Sequence, residues 1–312
     1  MLTNKVFILA GPTASGKTDV SFKLCDNYPF EIISVDSALI YKKMDIGTAK
    51  PSVAERNRYA HHLIDIVEPY QNYSAAQFIS DCNNSIAEIQ SKGKVPLLVG
   101  GTMMYFKALL DGLSDLPDRD TSIRADIENK AKLSGWEYLH HLLNIKDPLT
   151  ASKIKPNDSQ RIQRALEVME ITGSRYSDIV KSNRAGLKLE VEFISIEPSN
   201  RRILHDRIDR RFNIMLEKGF LDEFKDLYND ERLTSNLPSM RCVGYRQAWQ
   251  YFSGEYDHDT FVEKSIVATR QLAKRQLTWL RNWSSCYINK FDSLSENLGE
   301  SVLCFIHNKI QK

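Results

Sequence analysis

The run Val6-Phe7-Ile8-Leu9-Ala10 leads directly into Gly11-Pro12-Thr13-Ala14-Ser15-Gly16-Lys17-Thr18. Five apolar residues closed by a glycine are the pattern of a short strand buried on both faces. The next eight satisfy G-x-x-x-x-G-K-[ST] at every position, and a helix is predicted from about Gly16 to Asn27. Strand, glycine-rich turn and helix N-terminus in this order make a cradle for phosphate. The turn aims successive N–H groups inward, and the start of the helix adds positive potential. Lys17 supplies a full charge, and Thr18 a hydroxyl suited to a magnesium ion. The motif implies a bound di- or triphosphate and does not say whose.

Working outward, Ile32–Val35, His62–Val67 and Val95–Val99 read as further strands. Ser74–Ser91 has helical spacing through Phe78, Cys82, Ile86 and Ile89, and stops before Gly93. Strands alternating with helices predict a parallel sheet covered on both faces. The alternation breaks at Pro117, and no strand pattern returns until about Leu189. Helices are predicted at Arg124–Leu133, Trp136–Ile145 and Ser159–Thr172, the last with Ile162, Ala165, Leu166 and Met169 on one face and Gly173 as its stop. A strand follows at Val191–Ile196. Then come helices at Asn200–Lys218, Tyr245–Phe252 and Thr260–Trp283, a last strand near Cys286–Asn289, and a terminal helix. The expected fold class is α/β: a P-loop NTPase-like parallel sheet flanked by helices, residues 1–116 and 190–312, interrupted by an all-helical domain at 117–189.

Composition narrows the function classes. The chain has 312 residues, 42% hydrophobic and 26% charged, which is globular rather than disordered usage. Its longest charge-free apolar runs, Val6–Gly16 and Val95–Phe106, fall short of the roughly 20 residues a bilayer span needs. No membrane segment and no secretory leader are expected. Five scattered cysteines without C-x-x-C spacing suggest neither a disulfide framework nor a zinc site, and a reducing compartment, the cytoplasm, fits. The net charge of +2, from 42 basic and 40 acidic residues, announces no nucleic-acid partner in bulk. A local stripe can still serve one, and a candidate exists: Lys274–Arg281 carries three cations and no acid, with Arg270 one turn upstream. A solvated helix face is the bland alternative. The cluster Arg201, Arg202, Arg207, Arg210 and Arg211 is interleaved with Asp206 and Asp209, so local salt bridging competes and no RNA role is assigned to it.

Two further positions attract chemistry. Asp36 ends the second strand, at the edge where open parallel sheets place active sites; it reads either as a carboxylate facing the phosphate loop or as a turn or cap residue. Leu97-Leu98-Val99-Gly100-Gly101-Thr102 lacks the terminal acid that a kinase or ATPase uses to hold magnesium. Thr102 is either a substrate-facing hydroxyl or a cap for the next helix.

Six segments in order carry a resemblance: Gly11–Thr18 (GPTASGKT), Ile33–Pro51 (ISVDSALIYKKMDIGTAKP), Leu97–Leu113 (LLVGGTMMYFKALLDGL), Pro156–Val168 (PNDSQRIQRALEV), Arg241–Gln247 (RCVGYRQ) and Ala268–Arg281 (ATRQLAKRQLTWLR). Together they resemble the tRNA dimethylallyltransferases, also called tRNA isopentenyltransferases, over nearly the whole chain to about Trp283. Leu39 departs from the family pattern, which often has Gln there. The resemblance implies transfer of a dimethylallyl group from dimethylallyl diphosphate to N6 of adenosine 37, beside the anticodon. Gly11, Pro12, Thr13, Ala14, Ser15, Gly16, Lys17 and Thr18 would bind the diphosphate, with Mg2+ at Thr18. Asp36, Thr102 and Lys17 would be catalytic. The tRNA anticodon stem-loop would meet Asp36, Ser37, Ala38, Leu39, Thr102 and Arg124, then Gln160, Arg161, Ile162, Gln163 and Arg164. It would also meet Arg241, Cys242, Val243, Gly244, Tyr245 and Arg246, and Lys274, Arg275, Gln276, Leu277, Thr278, Trp279, Leu280 and Arg281. A monomer is expected. The rivals are a small-molecule kinase, a transferase prenylating free adenine nucleotides, and a non-enzymatic RNA-binding protein.

Overall fold

A computed structural model describes residues 5–114, 116–181 and 186–310. The chain forms two compact units, Met1–Ala108 with Lys188–Lys312, and Leu109–Leu187. Among the described residues six strands make one sheet: β1 (Lys5–Ala10), β2 (Phe30–Val35), β3 (His61–His62), β4 (Val95–Gly100), β5 (Glu190–Glu197) and β6 (Ile288–Asp292). Their order is β3-β2-β4-β1-β5-β6, and every pairing is parallel. In chain order the helices are α1 (Lys17–Asn27), α2 (Val53–Arg58), α3 (Ala75–Ser91), α4 (Met103–Asp111), α5 (Thr121–Lys146), α6 (Pro148–Ala151), α7 (Ser159–Thr172) and α8 (Tyr176–Lys181). After β5 come α9 (Arg201–Glu217), α10 (Phe220–Tyr228), α11 (Tyr245–Phe252), α12 (His258–Arg281) and α13 (Leu298–Ile310). The expected α/β class with a P-loop-like parallel sheet is what the chain adopts.

The apolar run Val6–Ala10 is fully buried, as a central strand covered on both faces must be. Val6, Phe7, Ile8 and Leu9 each contribute about 1.5–3 kcal/mol of burial free energy. One layer of core packs Phe7, Leu9, Val20, Leu24, Ile194 and Ile196 together with Val302 and Ile306 of α13. A second, more aromatic cluster gathers Phe212, Phe220, Phe224, Tyr245 and Phe261 around Ile40, Tyr41 and Met44, the segment that leaves β2. That cluster ties α9 to α12 beside the chain following Asp36.

The third strand is shorter than expected. It stops at His62 because Leu63 and Asp65 take φ values of 61° and 56°, outside any strand ladder. Val67 returns only as a single bridge to Tyr41. The turn is fixed by the Asp65 carboxylate, which accepts hydrogen bonds from the buried Lys50 at 2.5 Å and from Arg56. In the helical unit, α5 breaks at Gly135, which takes φ 83°, ψ 158°, into the two helices predicted on either side of it. Asp120 caps α5 by accepting the N–H groups of Ser122 and Ile123. Among the described residues between Pro117 and Leu187 there is no strand.

Candidate active site

Sheet register alone brings the site together. Ala10 of β1 lies opposite Gly100 of β4, and Gly100 opposite Val35 of β2. One residue beyond each, Gly11, Gly101 and Asp36 therefore share one edge. The phosphate loop, the start of α4 and the catalytic candidate Asp36 meet there because three adjacent strands end in step.

The loop itself curls through two left-handed residues, Ala14 at φ 61° and Gly16 at φ 87°. Left-handed residues among right-handed ones turn consecutive N–H groups to the same side and make an anion-binding concavity. Gly16 offers α1 no side-chain cap, so the first N–H groups of that helix stay available to a ligand. Ser15 is buried, and among the described residues its hydroxyl has no hydrogen-bond partner. An unmade hydrogen bond there costs about 1–3 kcal/mol, which an incoming phosphate oxygen would recover.

Lys17 Nζ donates to the carbonyls of Gly11 at 3.0 Å and Pro12 at 2.7 Å, so the ammonium lies over the loop. Burial pushes Lys17 down to about 7; the nearby Arg211 charge adds to that shift and Asp36 opposes it. Arg211 on α9 reaches across and donates to the Thr13 hydroxyl. Burial lowers its proton affinity too, with Asp36 opposing. A loop holding two desolvated cations is poised for a multiply charged anion.

On the other side of the edge, Asp36 Oδ1 accepts the Ala38 N–H at 2.8 Å. The turn reading of Asp36 is thus true of one oxygen; among the described residues Oδ2 has no hydrogen-bond partner, and the carboxylate's charge is felt by Lys17 and Arg211. Thr102 Oγ1 accepts the Ser37 N–H at 3.1 Å, and its backbone N–H donates to Val35 at 3.1 Å. The same residue precedes α4 and takes the Tyr105 N–H on its carbonyl at 2.9 Å. Thr102 is therefore both the start of a helix and a brace for the segment carrying Asp36.

The other residues expected at a site fall into two groups. Gln160, Arg161, Arg241, Arg246, Lys274, Arg275, Thr278, Trp279 and Arg281 are exposed, while Ser37 is exposed beside half-buried Ala38 and Leu39. The second group is turned inward. Arg124 and Arg164, expected to meet RNA, both engage the fully buried Glu167, Arg124 at 2.9 and 3.0 Å and Arg164 at 2.9 Å. Although burial alone would raise it, these partners hold the Glu167 carboxyl below its usual range. Ile162 is core, and buried Gln163 donates to Glu128 at 2.9 Å. Tyr245, expected to meet tRNA, is fully buried with its hydroxyl donating to Glu223 at 2.6 Å. Val243 and Leu277 are half-buried, Gly244 and Leu280 buried. Cys242 is half-buried; burial first, and then Asp36, push its thiol up to about 12, so a neutral sulfhydryl sits near the carboxylate. Gln276 is buried and bonded to the loop rather than to solvent.

Arg211 is the residue that sequence reasoning missed. Its signal was positional: Leu204, Ile208 and Met215 are buried on α9, and Arg211 occupies the same stripe. A cation in an apolar stripe asks for a function.

The donor set suits magnesium in one way only. Among the described residues no group of three or more His, Cys, Asp or Glu is arranged to hold a metal ion. The exposed Thr18 hydroxyl at the start of α1 fits an ion that takes one protein oxygen and completes its shell with substrate phosphates and water.

A parallel sheet, a glycine-rich loop carrying Lys17 and Thr18, and a carboxylate two strands away across β4 define a P-loop-like α/β protein with a phosphate-shaped cradle at its strand edge. Comparison with known proteins narrows this. The IPP transferase family model matches residues 39–283. A tRNA dimethylallyltransferase of Chromobacterium violaceum is 52% identical over 309 residues, covering 97% of this chain and 94% of that protein. The full-length tRNA isopentenylpyrophosphate transferase of Bacillus halodurans superposes with a TM-score of 0.69 at 34% identity, covering 99% of this chain and 96% of that one. A eukaryotic dimethylallyltransferase acting on tRNA superposes at 0.80 with 28% identity, covering 98% and 80%. The chain belongs to the IPP transferase family.

Proposed function

We propose that the protein transfers a dimethylallyl group from dimethylallyl diphosphate to N6 of adenosine 37 in tRNA. The observation that carries this reading is the register that sets a doubly cationic loop beside Asp36 and Thr102. In the reaction the allylic C–O bond breaks and its electron pair leaves with diphosphate. The adenine N6 lone pair forms the new C–N bond, and the nitrogen then loses a proton. Lys17, Arg211 and the loop N–H groups stabilise charge as it develops on the leaving oxygens, the kind of preorganised electrostatics that gives the largest rate contribution. Magnesium at Thr18 would neutralise further phosphate charge when bound. Asp36 Oδ2 accepts the proton: a carboxylate is too weak to strip a neutral aryl amine beforehand, but it suffices once C–N bonding has made the nitrogen acidic. The Thr102 hydroxyl, accepting the Ser37 N–H, braces the segment that carries that carboxylate.

Adenosine 37 must leave its stack to reach this edge, which costs a few kcal/mol. The exposed cations Lys274, Arg275 and Arg281 of α12, with Arg241 and Arg246 before and on α11, are the groups that offset it by gripping the phosphate backbone. Gln160 and Arg161 on α7 are the proposed contacts of the helical unit; Arg124 and Arg164 serve by holding α5 to α7 through Glu167. No helix among the described residues is long and apolar enough to cross a membrane, in keeping with an RNA substrate met in solution. The test is to incubate the protein with labelled dimethylallyl diphosphate, magnesium and an anticodon stem-loop, without ATP. Label on adenosine 37 supports the reading. Label only on free adenine nucleotides, or none without ATP, contradicts it.

A further inference from the structure

Gln276 stands in the middle of a basic run whose neighbours Lys274 and Arg275 point outward, yet its own side chain is buried. Its Oε1 accepts the Thr13 N–H at 2.9 Å, and its Nε2 donates to the Gly101 carbonyl at 2.9 Å. Thr13 belongs to the phosphate loop and carries the hydroxyl that Arg211 grips. Gly101 precedes Thr102, which braces the Ser37 N–H next to Asp36. One carboxamide therefore spans the leaving-group side and the proton-acceptor side of the site. Gly101 is shaped for this contact: a Cβ there would lie 2.3 Å from Gln276 Nε2.

We infer that Gln276 is a positioning residue for the transfer step. It fixes the separation between the diphosphate cradle and the Asp36–Thr102 segment, and does not bind RNA directly. This rests on the prenyl-transfer reading above. The physical reason is geometric. In a displacement, the nucleophile and the leaving group must lie in line across one carbon. A misplacement of about 1 Å in such an arrangement costs about 100-fold in rate. A carboxamide accepts from an N–H through its oxygen and donates to a C=O through its nitrogen at once, which neither an ionised carboxylate nor an apolar isostere can do.

The test compares Gln276→Glu and Gln276→Met with the wild-type protein, reading kcat and the separate dissociation constants for dimethylallyl diphosphate and for an anticodon stem-loop. Both variants are expected to lose about 100-fold in kcat, with RNA affinity within threefold of wild type. The glutamate keeps the Thr13 contact but must hold a proton to donate to Gly101. Its activity relative to wild type is therefore expected to rise as pH falls from 8 to 5.5, whereas the ratio for the methionine variant stays flat. Retained RNA affinity also shows that the variants fold. Wild-type kcat in both variants, or a loss confined to RNA affinity, overturns the inference while leaving the prenyl-transfer reading intact. A wild-type protein with no transfer activity sinks that reading instead.

Discussion

Replacing Arg211 by alanine isolates the one cation in the loop that the motif does not announce. A hydrogen bond involving a charged group is worth about 1.5–3 kcal/mol. At about 1.4 kcal/mol per tenfold, diphosphate binding should weaken by about 10- to 150-fold. A second effect opposes the first. Arg211 helps to press Lys17 down to about 7, so without it Lys17 holds its proton more firmly. In the wild-type protein at pH 8, binding an anion must first recharge a lysine that is mostly neutral, at a cost of about tenfold in affinity. The variant is spared part of that cost. The deficit should therefore be full at pH 6, where Lys17 is charged in both proteins, and smaller at pH 8. Calorimetric titration with inorganic pyrophosphate and magnesium at the two pH values reads both numbers, with stem-loop affinity as the control for folding. A Kd within threefold of wild type at pH 6, or a deficit that grows towards pH 8, would refute this account of the loop.

Asp36→Ala should lower kcat by at least 100-fold while pyrophosphate affinity stays within threefold; near-normal turnover removes Asp36 as proton acceptor. Because the Lys17 pKa is depressed in the free protein and an anion raises it, diphosphate binding at pH 8 should take up a proton, and affinity should fall as pH rises above 7. Titrations in buffers of different ionisation heat measure the uptake, which Lys17→Met should abolish. In the helical unit, Glu167→Ala leaves Arg124 and Arg164 without their shared carboxylate and should cost about 3 kcal/mol by urea unfolding. Since the Glu167 pKa is lowered on folding, that contribution is present above the ordinary carboxyl range near 4.5 and is lost as pH falls through the lower folded value. Stem-loop affinity should fall with salt at a log–log slope of about −0.7 per phosphate contacted, and a flat response would remove α12 as an RNA clamp.

What could be read from the chain alone was whatever is local. The phosphate loop is eight consecutive residues with their strand and helix attached, and Asp36 sits at the end of a recognisable strand. Arg211 was hidden because its partner, Thr13, is 198 positions away, and α9 holds four other arginines that compete for attention. Gln276 lay inside a run read by charge, whereas the helix period turns Ala273, Gln276 and Leu280 inward and leaves Lys274, Arg275 and Arg281 outside. The ion pairs of Arg124 and Arg164 were hidden because nothing in their spacing shows that Glu167 is buried between them. The overlong third strand had a different cause: His62–Val67 is apolar enough for a strand, but the left-handed turns at Leu63 and Asp65 are set by ion pairs to Lys50 and Arg56.

The identity of the loop's ligand decides what the protein does. Equilibrium dialysis of labelled dimethylallyl diphosphate against the protein in magnesium, with and without millimolar ATP, addresses it most directly. The prenyl donor should bind, be displaced by inorganic pyrophosphate, lose its affinity in Lys17→Met, and remain bound in the presence of ATP. A loop that binds ATP and leaves the prenyl donor in solution would contradict it.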